Sequence, residues 1–166
     1  MSISFNTGKP AGDIVAGWWE ELQRDNGGRA QLRRCKSPEE VMLEPTFQRL
    51  LNRMRGLLES ESRLSEEESY RRLAAVAGLL SHVKVRNDKP LAERMADPQG
   101  GRPRFSSLRF RRLMKEPFDD LYPAMIRVIR QLDKTASLSD LANSVFYWGD
   151  KVRRDWALAY FPKVTE

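Results

Sequence analysis

The chain of 166 residues has one cysteine, Cys35, and one histidine, His82. A lone thiol excludes an internal disulfide and any cysteine-based zinc site, and it fits a reducing, cytoplasmic compartment. No apolar run approaches the roughly 18 residues of a membrane span, and residues 1–10 lack a signal-peptide pattern, so no membrane partner is expected. Catalytic groupings are equally scarce. His82 follows an apolar helical run with no nucleophile spaced to use it, which suits a capping or surface role. Glu66-Glu67-Glu68 and Asp119-Asp120 are consecutive carboxylates that point in different directions. They suit helix starts, where the dipole is positive, better than chelation. Gly27-Gly28 lacks the lysine of a phosphate-cradling loop. The chain reads as a non-enzyme without metal or cofactor.

Strand alternation is nearly missing, while helix punctuation runs throughout. Apolar residues are 40% of the chain, enough for one domain or two small lobes sharing a core. Asp13 is a candidate cap for a first helix carrying Ile14, Trp18, Trp19 and Leu22, and Asn26-Gly27-Gly28 a candidate end for it. A short basic helix over Arg29–Lys36 is expected next. Ser37-Pro38-Glu39-Glu40 and Ser65 with Glu68 are capping boxes that open further helices. Glu59–Ser65 between them reads as a loop. A short helix is expected near Leu91–Met95, followed by a Pro- and Gly-rich linker up to Arg104. Later helices are expected near Ser107–Lys115, Asp119–Leu132 and after Ser137, the last interrupted at Gly149. The expected architecture is all-α, a helical bundle of two lobes at residues 1–101 and 102–166.

Charge is unevenly spread over these lobes. Arg outnumbers Lys, 21 to 8, and the net charge is +6. Residues 1–97 carry 16 Lys/Arg against 15 Asp/Glu, whereas residues 98–166 carry 13 against 8. At about 100° per residue, Arg29, Arg33 and Lys36 stack on one side of their helix, with Arg34 pointing elsewhere. Arg102–Lys115 holds six basic residues and no acid. There Phe110, Leu113 and Met114 form an inner side, with Arg111, Arg112 and Lys115 opposite and Arg109 flanking. The next helix turns Arg127, Arg130 and Lys134 outward. Solvated faces ordinarily mix signs. Uncompensated Arg stripes match phosphate oxygens, and no base-reading motif accompanies them, so backbone contact is expected. Trp18, Trp148 and Trp156 fall on apolar stripes and read as core rather than as stacking platforms.

Four segments in order carry a family resemblance: WWEELQRDNGGRAQLRRCKSPEEV (Trp18–Val41), SSLRFRRLM (Ser106–Met114), DDLYPAMIRVIRQL (Asp119–Leu132) and YWGDKVRRDWALAYF (Tyr147–Phe161). Together they resemble the CasB family, the small subunit of the type I-E CRISPR surveillance complex, Cascade. Residues 56–101 match only in being helical. The resemblance implies a two-lobed helical fold without catalysis. It implies two copies packed head to tail against the large and backbone subunits of Cascade. There they would help hold the duplex of crRNA and target DNA, and the displaced non-target strand. Arg29, Arg33, Arg34, Arg109, Arg111 and Arg112 carry over from its motifs. Lys36, Arg104, Arg127, Arg130, Lys151 and Arg154 join them from charge and helix face alone. Gly28 and Ala30 read as turn and packing residues. The rival reading is a structural spacer whose basic faces pair with acidic surfaces of neighbouring proteins.

Overall fold

The computed structural model describes residues 2–164, which form ten α-helices, one 3-10 turn and two sheets of two short strands each. The order is α1 Pro10–Gln23, α2 Asn26–Arg34, α3 Pro38–Val41, α4 Pro45–Glu61, α5 Glu66–Leu80, β1 Val85–Arg86, α6 Leu91–Ala96, β2 Pro98–Gln99 and β3 Arg102–Pro103. It continues α7 Ser107–Leu113, α8 Phe118–Gln131, β4 Thr135–Ala136, α9 Leu138–Phe146, α10 Asp150–Tyr160 and the 3-10 turn Phe161–Lys163. Strands β1 and β4 pair in parallel, and β2 and β3 form an antiparallel hairpin. The Gly100-Gly101 turn, where the sequence places its lobe boundary, joins β2 to β3, and both glycines have positive φ. No helix among the described residues is long and apolar enough to cross a membrane.

Local chemistry explains most helix starts. Ser37, Ser65, Ser106 and Ser137 each accept a hydrogen bond from the backbone N–H three residues on, covering a donor that the helix leaves unpaired. Three expected boundaries move. Helix α1 begins at Pro10, whose fixed φ suits a first helical position, and Asp13 instead accepts from the Gly8 N–H. Asn26-Gly27-Gly28 opens α2 rather than closing α1, because Asp25 caps it by accepting from the Gly28 N–H. A Cβ at Gly28 would lie 2.4 Å from that carboxylate, so the capped turn requires glycine there. Helix α4 runs on to Glu61, since Leu57 and Leu58 extend its apolar face, and shortens the expected loop.

Helix α5 is the hub. Every residue from Leu73 to Leu80 is buried, and α2, α3, α4, α8 and α9 all pack on it. A helix that is apolar all round must lie inside the molecule. Small residues make the close packing possible. A Cβ at Gly78 would stand 2.0 Å from the Tyr122 hydroxyl and 2.8 Å from Val41 Cγ2. Two arginines at its exposed start tie the surroundings down. Arg71 pairs with Glu39 and Asp119, while Arg72 pairs with Glu68 and donates to the Phe146 and Trp148 carbonyls over the Phe118 ring. Helix α10 packs on α6, and its Tyr160 stacks on Phe110 of α7 with ring centroids 3.9 Å apart.

Glycine therefore has opposite meanings at two helical positions. Gly78→Ala should destabilise the fold by about 1–3 kcal/mol through overpacking. Gly56→Ala, on the open face of α4 with nothing near its missing Cβ, should stabilise it by about 0.5–1 kcal/mol. Urea unfolding of both variants measures this. Equal shifts of the two midpoints would show that packing against Tyr122 does not limit position 78.

Candidate nucleic-acid interface

The uncompensated arginines gather at two places, and α8 contributes to both. The first is a groove between α7 and α8 of about 250 Å³, floored by Phe105, Leu113, Ala124 and Val128 and rimmed by Arg109, Arg112 and Arg127. Apolar residues hold the two helices together at i, i+3 and i+4 spacings, which leaves the arginines at the edge. Arg109 lies over the Phe105 ring and donates to Gln131 Oε1 at 3.1 Å. Arg112 and Arg127 make no ion pair among the described residues. Arg111 is exposed and points away from the groove, equally unpaired. Glu116 is the one acid lining this groove.

The second place was not legible as a unit in the sequence. Arg33 of α2 meets Arg130 and Lys134 of the α8 end around His82, with Ile126 and Ile129 completing a pocket of about 250 Å³. The expected stripe of Arg127, Arg130 and Lys134 is thus divided, Arg127 facing α7 and the other two facing α2. Helix α8 ends at Gln131, and Asp133 and Lys134 follow with φ of 59° and 58°. His82 is half-buried, and its Nε2 has no hydrogen-bond partner among the described residues. Burial, then the nearby charges of Arg33, Arg130, Lys134 and Arg29, push its imidazole down to about 4, so it is neutral near pH 7.

Other expected contact residues fall into two groups. Arg29 is half-buried and donates to the Ser81 and Val83 carbonyls, capping the end of α5. Burial lowers its basicity, aided by Arg33. Arg104 is held by Asp133 at 2.9 Å, and Lys151 by Asp155 at 2.9 Å. Arg34, Lys36 and Arg154 are exposed and unpaired among the described residues. Lys36 leaves the expected stripe because the chain turns extended at Cys35, one residue past α2.

The tryptophans are core residues. Trp18, Trp148 and Trp156 are at most 4% exposed, and their indole N–H groups donate to Thr46 O, Glu116 O and Ser144 Oγ. Trp19 is buried likewise, with its N–H on Val83 O. Tyr147 reaches the Ile3 carbonyl at 2.6 Å. Among the described residues, no three His, Cys, Asp or Glu side chains are grouped to hold a metal.

Comparison with known proteins places this geometry in context. No curated protein matches the sequence. A chain in the crystal structure of E. coli Cascade bound to a PAM-containing dsDNA target shares 20% identity. The match covers 89% of this chain and 94% of that one, with a TM-score of 0.67, and so shows the same fold. A family model, CRISPR-associated protein Cse2, matches residues 28–161, from the capped turn of α2 through α7, α8 and the start of the 3-10 turn. That span takes in both basic sites and the helix between them; this chain belongs to the Cse2 family, the one named CasB above.

Proposed function

We propose that this protein is the non-catalytic small subunit of a CRISPR RNA-guided surveillance complex, Cascade, and that it grips nucleic-acid backbone. In this reading it steadies the duplex of crRNA and target DNA and the displaced strand of the R-loop. It does so as one of a head-to-tail pair against the large and backbone subunits. One observation carries the nucleic-acid part: Arg33, Arg111, Arg112, Arg127 and Arg130 are solvent-facing guanidiniums without an acidic partner among the described residues. A guanidinium that folding leaves unpaired keeps its full capacity for a phosphate.

The energetics suit such a subunit. Opening an R-loop exchanges one duplex for another of similar stability, so a few backbone contacts tip the balance. Each cation that meets a phosphate releases condensed counterions, which makes the grip depend on salt and not on sequence. Indoles buried in the core support a role without base stacking. The spacer reading has its own support in the exposed Leu43, Leu108 and Leu158, which suit contact with protein.

Binding of the purified protein to single- and double-stranded DNA across a salt series separates the two. Backbone gripping predicts a fall in log affinity of roughly 0.7–0.9 per log salt for each phosphate contact. No binding at low salt would leave the spacer. Replacing Arg111 and Arg112 together with Ala should weaken binding to unrelated sequences alike and leave the unfolding midpoint in place. Arg29→Ala should behave in the opposite way, lowering stability by about 1–3 kcal/mol through the two carbonyls it uncaps. A large binding loss with unchanged stability in that variant would return Arg29 to the contact surface.

A further inference from the structure

We propose that the pocket between α2 and the end of α8 seats one phosphate group, held by Arg33, Arg130 and Lys134 with the His82 imidazole as an inner donor. The inference rests on the nucleic-acid reading for one of its two sources, a phosphate of the nucleic-acid backbone. The other source is a free phosphate ion.

Three observations carry it. Arg33, Arg130 and Lys134 come from separated parts of the chain to one pocket that no acidic residue lines. Like charges brought together repel, and an anion between them turns that repulsion into attraction. The negative end of α5 would be the alternative attraction for these cations. However, Arg29 already occupies the Ser81 and Val83 carbonyls there. Second, His82 Nε2 is buried without a partner, and buried polar atoms are ordinarily satisfied. A tetrahedral oxyanion in the pocket supplies the acceptor. Third, Lys134 and Asp133 both adopt left-handed backbone, which non-glycine residues visit at a cost. The Lys134 N–H bonds Ile129 O at 2.9 Å and its carbonyl accepts from the Lys84 N–H at 2.8 Å. The backbone is thereby fixed where the lysine side chain lines the pocket, while the Asp133 carboxylate is drawn off to Arg104.

A proton accompanies the anion. The charged groups that face His82 are Arg29 and Arg33 from α2, and Arg130 and Lys134 from the end of α8. All four disfavour imidazolium, and a seated anion offsets them. Binding therefore takes up a proton. Affinity rises as pH falls through the raised value of the complex and levels off below about 4, the value of the free protein.

The test uses the one histidine as its own reporter. In the NMR spectrum of the full-length protein in chloride, the His82 imidazole signal should stay at its neutral position between about pH 5 and 8. Adding sodium sulfate or inorganic phosphate should bring its titration into that window. A rise of about one unit or more corresponds to about tenfold tighter anion binding by the protonated form. Sodium chloride at matched ionic strength should not do this; an equal effect would mean screening alone and would overturn the pocket. An oligothymidylate without terminal phosphate that moves the signal identifies backbone phosphate as the source. Movement with phosphate ion alone identifies the free ion. Silence with all of these sinks the proposal, even where fluorescence anisotropy shows the oligonucleotide bound, and then the broader nucleic-acid reading survives without it. Arg130→Gln and Lys134→Gln should each reduce the sulfate-induced shift, whereas the Arg111 and Arg112 double variant should retain it. Loss of the shift in that double variant would equally count against the pocket.

Discussion

Burial of α5 on all sides is the constraint from which the remaining structure follows. A helix enclosed from Leu73 to Leu80 needs neighbours around its whole circumference, and each neighbour can offer it only one apolar face. The polar faces of α2, α4 and α8 are consequently turned outward. Gly78 lets α3 and α8 come in close, and α2 reaches the same end of the hub through Arg29 on the Ser81 and Val83 carbonyls. The meeting of Arg33 with Arg130 and Lys134 is thus a result of core packing. The basic pocket exists because an apolar helix ends beneath it.

Arginine serves two purposes here, and burial separates them. Arg29, Arg71, Arg72 and Arg94 lie partly inside and spend their donors on carbonyls or carboxylates: Arg29 at the end of α5, Arg94 on the Leu132 and Thr135 carbonyls. A guanidinium has five donors in a planar fork, which lets one residue stitch two loop carbonyls while its stem packs among apolar groups. Arg111, Arg112, Arg127 and Arg130 lie outside and have none of these ties. The same side chain, counted identically in a composition, holds the fold in one case and is left unpaired at the surface in the other.

Much of the fold was legible because capping is local. Ser37 and Ser65 announce α3 and α5 through the residue three positions later, and the structure agrees. Asp13 misled because it resembles a cap while a proline three residues earlier had already set the helix start. Asn26-Gly27-Gly28 misled because glycine after a helix suggests an exit, whereas Asp25 uses Gly28 to begin the next one. The individual basic stripes were equally readable, being matters of helical period. Their convergence was not. Arg33 and Arg130 are neighbours only through the packing of α2 and α8 on a common helix, and no local pattern encodes that. His82 looked idle for the same reason, since its charged surroundings come entirely from other elements.

The opening segment of the chain is fastened to α9. Phe5 N–H donates to Asn143 Oδ1, Asn143 Nδ2 donates to Asn6 Oδ1, and Phe5 packs edge-on against Phe146. These links join residues almost the full length of the chain apart, and contacts of such separation form slowly because a long loop must close first. During synthesis this segment has no docking site until α9 has emerged. Ile3 and Phe5, both buried in the folded protein, then stay exposed until the chain has grown past α9, and their cover is completed late.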